Sequence, residues 1–288
     1  PTDTDLAGVK ILAKTGSYPT GITDGEATLI YTGTGTNTTH TILTNGTIQY
    51  YSAFAYDEVP NYSVKADISG TPAYIDPANA KMSANTGNVT LTAGKVSALF
   101  TNSFYVQSTT DPIGIRVDKT AHGLTLGQTA WAKGTAETDA ATGEKYLSAA
   151  WAQGSGTGSV SPLALGNTSL GGVDWSYDSV SKAGQAGVLG GLGPNNIGLL
   201  VRVWGKVTQR ENVTNTYFYI DDGAGLKDGT QTLLVDNVGI RVKASPVSHE
   251  TGEYVVITGL SSCFKDGSGN IIRQVTPITG GILELPIP

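Results

Sequence analysis

A catalytic or metal centre in this chain would have to be built from three histidines, one cysteine and scattered carboxylates. His40, His122 and His249 stand far apart, one at a strand start and two in loop-like stretches. None belongs to an H-x-E or H-x-x-x-H pattern and no second cysteine completes a pair, so the spacing offers no transition-metal motif. Ser179-Val-Ser-Lys182 and Lys14-Thr-Gly16 have the S-x-x-K and K-T-G spacings of serine-acylating enzymes. They occur in the wrong chain order, and Ser179 sits in a Gly-rich stretch where that chemistry needs a helix. Gly223-Ala-Gly225 is followed by no helix whose N-terminus could hold a phosphate. The residues predict no catalytic centre and no cofactor.

Oxygen-rich turns and aromatic faces give other leads. Asp221, Asp222 and Asp228 gather around one turn. Calcium favours grouped carboxylate and carbonyl oxygens, whereas Asp-Gly is by itself the chemistry of a hairpin turn. Asp266-Gly-Ser-Gly-Asn270 allows the same two readings. Arg202, Trp204 and Lys206 alternate with apolar residues on one strand-like stretch, and Tyr217 and Tyr219 follow on the next. Together they would set aromatic and cationic groups on one face. Such a face suits stacking against sugars or single-stranded nucleic acid, or packing against the Gly/Ser-rich arm over 153–195 or a neighbouring subunit. Cys263, in the apolar run Tyr254–Phe264, reads as a buried free thiol, with an intermolecular disulfide as the alternative. The N-x-S/T triplets at Asn37, Asn45, Asn61, Asn88, Asn167 and Asn212 are glycan acceptors in a host that has the machinery.

The elements that must position these residues read as all-β. Glycine is abundant at 38 of 288 residues, and charged residues are only 15%. That mixture suits short strands and tight turns. No apolar run approaches the roughly 20 residues of a membrane-spanning helix. One pattern occurs twice. Gly114-Ile-Arg-Val117 is followed by Gly127 and Gly134 and a strand opening at Lys145; Gly239-Ile-Arg-Val242 is followed at equal offsets by Gly252 and Gly259 and a strand opening at Asn270. Upstream, Gly94-Lys-Val96 matches Gly205-Lys-Val207, and Phe104-Tyr-Val106 matches Phe218-Tyr-Ile220. Agreement at so many offsets marks a duplication. Five short strands per copy, with a long first one, describe a five-stranded barrel of OB type. The stretches GLLVRVWGKVT, FYIDDGAGLKDG and GEYVVITGLSS also resemble OB-fold modules of large secreted bacterial proteins. That resemblance spans most of residues 85–280 and implies a fold and a surface setting, and no reaction.

Residues 1–68 read as a run of strands that includes Thr47–Glu58. Leu43-Thr-Asn-Gly-Thr47, followed by Tyr50, Tyr51 and SAFAYDEVPNYS, resembles the later half of a bacterial fibronectin type III domain. Gln49 stands where that family places its corner tyrosine, and the family's first two strands would precede Pro1. The resemblance therefore implies an open sandwich with unpaired edges. In that reading Tyr51, Ala53 and Ala55 point inward, and Tyr50, Phe54 and Tyr56 pack within the chain or on another molecule.

The expected organisation is an incomplete fibronectin III-like β-sandwich over 1–68, barrels over 69–152 and 196–288, and an ordered Gly/Ser-rich arm over 153–195. Residues 1–68 carry 3 basic and 7 acidic side chains, 69–150 carry 6 and 6, and 196–288 carry 8 and 9. With no basic module, nucleic acid is a poor partner. A single Cys, low Lys and a chain opening at Pro1 fit a processed extracellular or cell-surface protein. These features predict a non-enzymatic structural protein, a homopolymeric subunit of a filament, sheath or layer. Assembly would use Tyr50, Phe54 and Tyr56, or donation of the terminal strand bearing Ile282, Leu283, Leu285 and Ile287 to a neighbour. The alternative is a carbohydrate- or single-stranded nucleic-acid-binding module.

Overall fold

The computed structural model describes residues 5–40, 43, 47–71, 75–92 and 94–285, so Asn45 and Ile287 lie outside the described residues. The chain is nearly all β and divides into two compact units, Pro1–Tyr74 and Ile75–Pro288.

In the first unit, β1 (Leu6–Thr15), β2 (Thr28–Gly33), β3 (Gln49–Asp57) and β4 (Ala66–Gly70) form one antiparallel sheet in the order β2-β1-β3-β4. Directly paired residues share a face. Lys10, Leu12 and Lys14 therefore stand beside Phe54, Ser52 and Tyr50. The loop after β1 lies over this face. Tyr18 meets Tyr50 edge-on with centroids 5.0 Å apart, Ser52 Oγ donates to Pro19 O at 3.4 Å, and Asp24 pairs with Lys14 at 2.9 Å. Lys10 Nζ sits 5.6 Å from the ring of Tyr56 and donates to Tyr62 Oη. Phe54 is left 5% exposed. Phe54 is thus covered within its own unit and is not available as an assembly contact, while Tyr50 and Tyr56 stay half-buried.

The opposite face is different. Its rows read Tyr31–Ile11–Ala53–Ala66 and Ala13–Tyr51–Ile68, with Val9 beside Ala55. This apolar surface has no second sheet of its own unit over it among the described residues, and Ile68 is 69% exposed.

The second unit opens with the short helix α1 (Pro77–Met82), started by Pro77 and by Asp76, whose carboxylate accepts from Asn79 N at 2.8 Å. Then come β5 (Asn88–Leu91), β6 (Lys95–Leu99), β7 (Ser103–Gln107), β8 (Gly114–Asp118), β9 (Thr129–Thr138) and β10 (Lys145–Ser155). After β11 (Leu163–Ala164) follow β12 (Leu200–Arg210), β13 (Tyr217–Asp221), the small hairpin β14 (Gln231–Thr232) and β15 (Val235–Asp236), β16 (Ile240–Lys243), β17 (Tyr254–Lys265) and β18 (Ile271–Leu285).

Two closed five-stranded rings result: β6-β7-β8-β10-β9 back to β6, and β12-β13-β16-β18-β17 back to β12. In each ring the third and fifth strands run parallel and the other pairs antiparallel. β5 and β6 together do what β12 does alone, pairing with the fourth strand and then with the second. Gly94 and Gly205 sit at that change of partner. A β-carbon at Gly94 would come within 2.3 Å of Val106 Cγ1, and one at Gly205 within 2.8 Å of the Asp221 backbone. Alternation then fills the two cores with matching residues: Phe104, Val106, Ile115 and Val117 in the first, Phe218, Ile220, Ile240 and Val242 in the second.

The segment between the barrels is ordered by its side chains. Leu170 enters the second core. Gln185 accepts from Lys145 N at 2.8 Å and donates to Gly143 O at 3.0 Å, while Arg273 donates to Leu189 O and Gly190 O at 3.1 and 2.9 Å. Barrels and arm therefore form one compact unit.

The C-terminal residues 281–285 stay with their own barrel. Val256 pairs with Leu283, Ile257 with Ile282 and Tyr254 with Leu285, and Ile282 packs on the second core. Of the segment expected to be donated to a neighbour, residues 281–285 are here the end of β18, paired with β17 of the same chain.

Candidate binding surfaces and the cleft between the barrels

The five residues expected to share a ligand face fall into two patches. Along β12, Val201, Val203 and Val207 point inward while Arg202, Trp204 and Lys206 are exposed, as a half-buried strand requires. From Leu200 to Lys206 the strand pairs with β17, and from Lys206 to Arg210 with β13. Trp204, 48% exposed, therefore stands beside Val256 and, one strand further, Leu283. Arg202 Nε donates to Thr258 Oγ1 at 3.1 Å.

Tyr219 pairs with Gln209, five positions further along β12 and about 16 Å from Trp204 at the strand repeat. Its ring meets Tyr217 edge-on, and its hydroxyl bonds Thr230 Oγ1 at 2.9 Å. Tyr219 is only 1% exposed, and burial pushes its pKa up to about 12. The Arg241 guanidinium lies 4.0 Å from the Tyr217 ring and 4.1 Å from that of Phe264. Tyr217 and Tyr219 thus belong to an Arg241-centred stack. Neither Arg241 nor Phe264 stands out in the sequence, and their strands β16 and β17 come near each other only because β18 pairs with both.

A cleft of about 640 Å³ opens between the barrels, lined by Tyr105, Arg116 and Glu144 of the first and by Lys243, Cys263 and Gln274 of the second, among others. Its charge is arranged around Arg116, which meets Glu144 Oε2 at 2.9 Å, Asp139 at 2.9 Å and Asp118 at 3.0 Å. Tyr105 Oη donates to the same Glu144 oxygen at 3.2 Å. Burial raises the Glu144 pKa against the opposing pull of Arg116 and Lys81. Its Oε1 has no partner among the described residues. Burial also pushes the Cys263 thiol up, and its sulfur donates to Thr142 O at 3.2 Å. A protonated, hydrogen-bonded thiol is a poor nucleophile. No histidine lines the cleft among the described residues.

The carboxylates proposed for calcium cap their own turns. Asp221 accepts from Gly225 N, Asp222 from Ala224 N and Asn167 N, and Asp228 from Thr230 N, at 2.7–3.2 Å. Asp266 likewise accepts from Ser268 N and Asn270 N. Among the described residues neither set brings three carboxylate, imidazole or thiol groups together. The one group of three potential ligand side chains found among the described residues is His249, Glu253 and Glu284, with ligand atoms within 4.8 Å of one another. His249-x-x-x-Glu253 is the only part of it visible in sequence, because β18 supplies Glu284 from the far end of the unit.

Ser179 lies in a turn capped by Asp178, which accepts from Val180 N and Ser181 N, so the S-x-x-K spacing has no helix behind it. His40 bonds Tyr51 Oη and His122 bonds Phe100 O, both in packing roles. Of the described sequons, Asn37, Asn61, Asn88 and Asn212 are exposed, whereas Asn167 is fully buried with its amide donating to Ile220 O. A glycan cannot be carried at Asn167 in the folded chain. Comparison with known family models and with curated proteins gives no match to this chain.

Proposed function

We propose that this chain is an extracellular, non-enzymatic structural subunit that assembles with copies of itself into a filament, sheath or layer. In this reading its first unit is one layer of a fibronectin III-like sandwich and its second is a tandem of OB-type barrels. The sheet order β2-β1-β3-β4 supports the first assignment, since it matches the C′-C-F-G sheet of immunoglobulin-like sandwiches. The two identical ring orders support the second.

The observation that carries the proposal is the apolar face of Val9, Ile11, Ala53, Ala55 and Ile68. A sandwich sheet buries such a face against a partner sheet, and no partner layer of this unit lies on it among the described residues. A second copy supplies the missing layer. The test is sedimentation and electron microscopy of the purified chain beside an Ile11→Asp variant. Concentration-dependent assembly that Ile11→Asp abolishes, with an unchanged circular dichroism spectrum, supports it. A wild-type chain that stays monomeric at high concentration sinks it.

A second reading, a carbohydrate- or single-stranded nucleic-acid-binding module, is favoured by one feature, the exposed Trp204 between Arg202 and Lys206. With 8 basic against 9 acidic side chains in residues 196–288, glycan is the better candidate of the two. Retention on a polysaccharide column that Trp204→Ala removes distinguishes this reading from assembly.

A further inference from the structure

Barrel interiors are lined by alternate residues of each strand, and Val255 and Ile257 of β17 point into the second core. Their partners on β18, Glu284 and Ile282, share that face. So does Glu253, two residues before Val255. At this end of the barrel that face closes on two carboxylates at the rim, Glu253 half-buried and Glu284 exposed. His249 comes from the loop between β16 and β17, its ring 5.7 Å from that of the core residue Phe218. His249 Nδ1 lies 3.3 Å from Glu253 Oε2, and one ligand atom from each of the three side chains lies within 4.8 Å of the others.

Two carboxylates so close are held together by a positive charge, either a protonated His249 paired with Glu253 or a bound cation that the three side chains share. Glu284 forms no ion pair among the described residues. The nearby Arg210 is taken by Glu250 and by Val247 O, to which it donates at 3.2 Å. Lys206, paired beside Tyr254, is on the outer side of the barrel. Ligand bonds of about 2.0–2.2 Å place two atoms on one tetrahedral ion roughly 3.3–3.6 Å apart, so small rotations close this set around a metal.

We propose that His249, Glu253 and Glu284 bind a divalent first-row transition ion, Zn2+ fitting best: one imidazole nitrogen and two carboxylate oxygens, with a fourth position open. Because Glu284 rides on the end of β18, the ion fastens the C-terminal strand to its own barrel.

The experiment is calorimetric titration of the full chain with Zn2+, with Mg2+ as comparator, followed by hydrogen exchange over residues 281–285. The expected result is one Zn2+ per chain, negligible Mg2+ uptake, and slower exchange at 281–285 on loading. His249→Ala and Glu284→Gln each weaken zinc roughly tenfold or more. Glu284→Gln replaces an exposed side chain by one of the same shape, so an unchanged melting curve in the absence of metal separates loss of the ligand from loss of the fold. No uptake at millimolar Zn2+, or uptake that both variants retain, overturns the site. Zinc uptake that leaves exchange at 281–285 unchanged overturns the clamp.

Discussion

A β-carbon added to Gly114 would lie 2.1 Å from the carbonyl oxygen of Gly198, and one added to Gly198 would lie 2.6 Å from the carbonyl oxygen of Gly114. The two barrels therefore meet backbone to backbone, at the start of β8 and just before β12. Around this contact Ala98 and Tyr105 of one barrel pack with Leu200 and Leu260 of the other, and Leu200 N donates to Gln107 Oε1 at 3.3 Å. Gly114→Ala is expected to wedge the barrels apart and cost about 1–3 kcal/mol, the range of overpacking. Differential scanning calorimetry checks this. A lower melting temperature, or one transition splitting into two, fits a shared interface, and an unchanged thermogram does not.

Lys81 gives the fold a pH dependence. Its ammonium is buried and donates to Ile197 O, and burial lowers its pKa from 10.5 to about 8, partly opposed by Glu144. Between those values the unfolded chain binds the proton and the folded chain does not, so this group makes stability rise with pH. Below pH 8 the folded state carries the full cost of a buried charge. Cys263 acts in the opposite direction above its ordinary pKa, and Lys145, also lowered to about 8, adds to the rise. Comparison with Lys81→Met isolates the term. The stability difference between wild type and variant is expected to move in favour of wild type by roughly 2–3 kcal/mol between about pH 7 and pH 10. Urea denaturation at the two pH values measures it, and a constant difference would remove Lys81 as the cause.

The all-β character and the doubled strand pattern were legible because both are local: alternation, turn glycines, and equal offsets such as Gly134 and Gly259. What stayed hidden depends on strands meeting across the chain. Trp204 and Tyr219 look like neighbours in sequence, yet β12 changes partner at Lys206 and carries them into different patches. Arg116 and Glu144 meet because β8 runs beside β10, and Glu284 joins His249 only through the pairing of β18 with β17. Asn167 reads as an ordinary sequon until Asp222 and Ile220 take its amides.

Arg273 holds the arm between the barrels. It is 1% exposed, burial lowers its pKa, and two of its contacts are the carbonyls of Leu189 and Gly190. Arg273→Met keeps the stem but removes both donors. The expected result is faster hydrogen exchange across residues 186–191, with β12 to β18 otherwise still protected. Uniformly faster exchange through the second barrel would mean that Arg273 supports the barrel and not the arm.

The placement of the C-terminal strand turns on two adjacent residues. Ile282 pairs with Ile257 and packs on the second core, whereas Leu283 pairs with Val256 on the outer side and is 62% exposed. If the strand belongs to its own barrel, Ile282→Ala removes buried methyl groups and costs about 1–2 kcal/mol, less than the full-burial range because the side chain is only partly buried. Leu283→Ala stays within about 0.5 kcal/mol, as for other surface changes. A strand donated to a neighbour instead makes the effect of Ile282→Ala depend on protein concentration. Melting both variants at two concentrations well apart therefore separates the two arrangements: a concentration-independent loss at Ile282 alone is the outcome that this pairing requires.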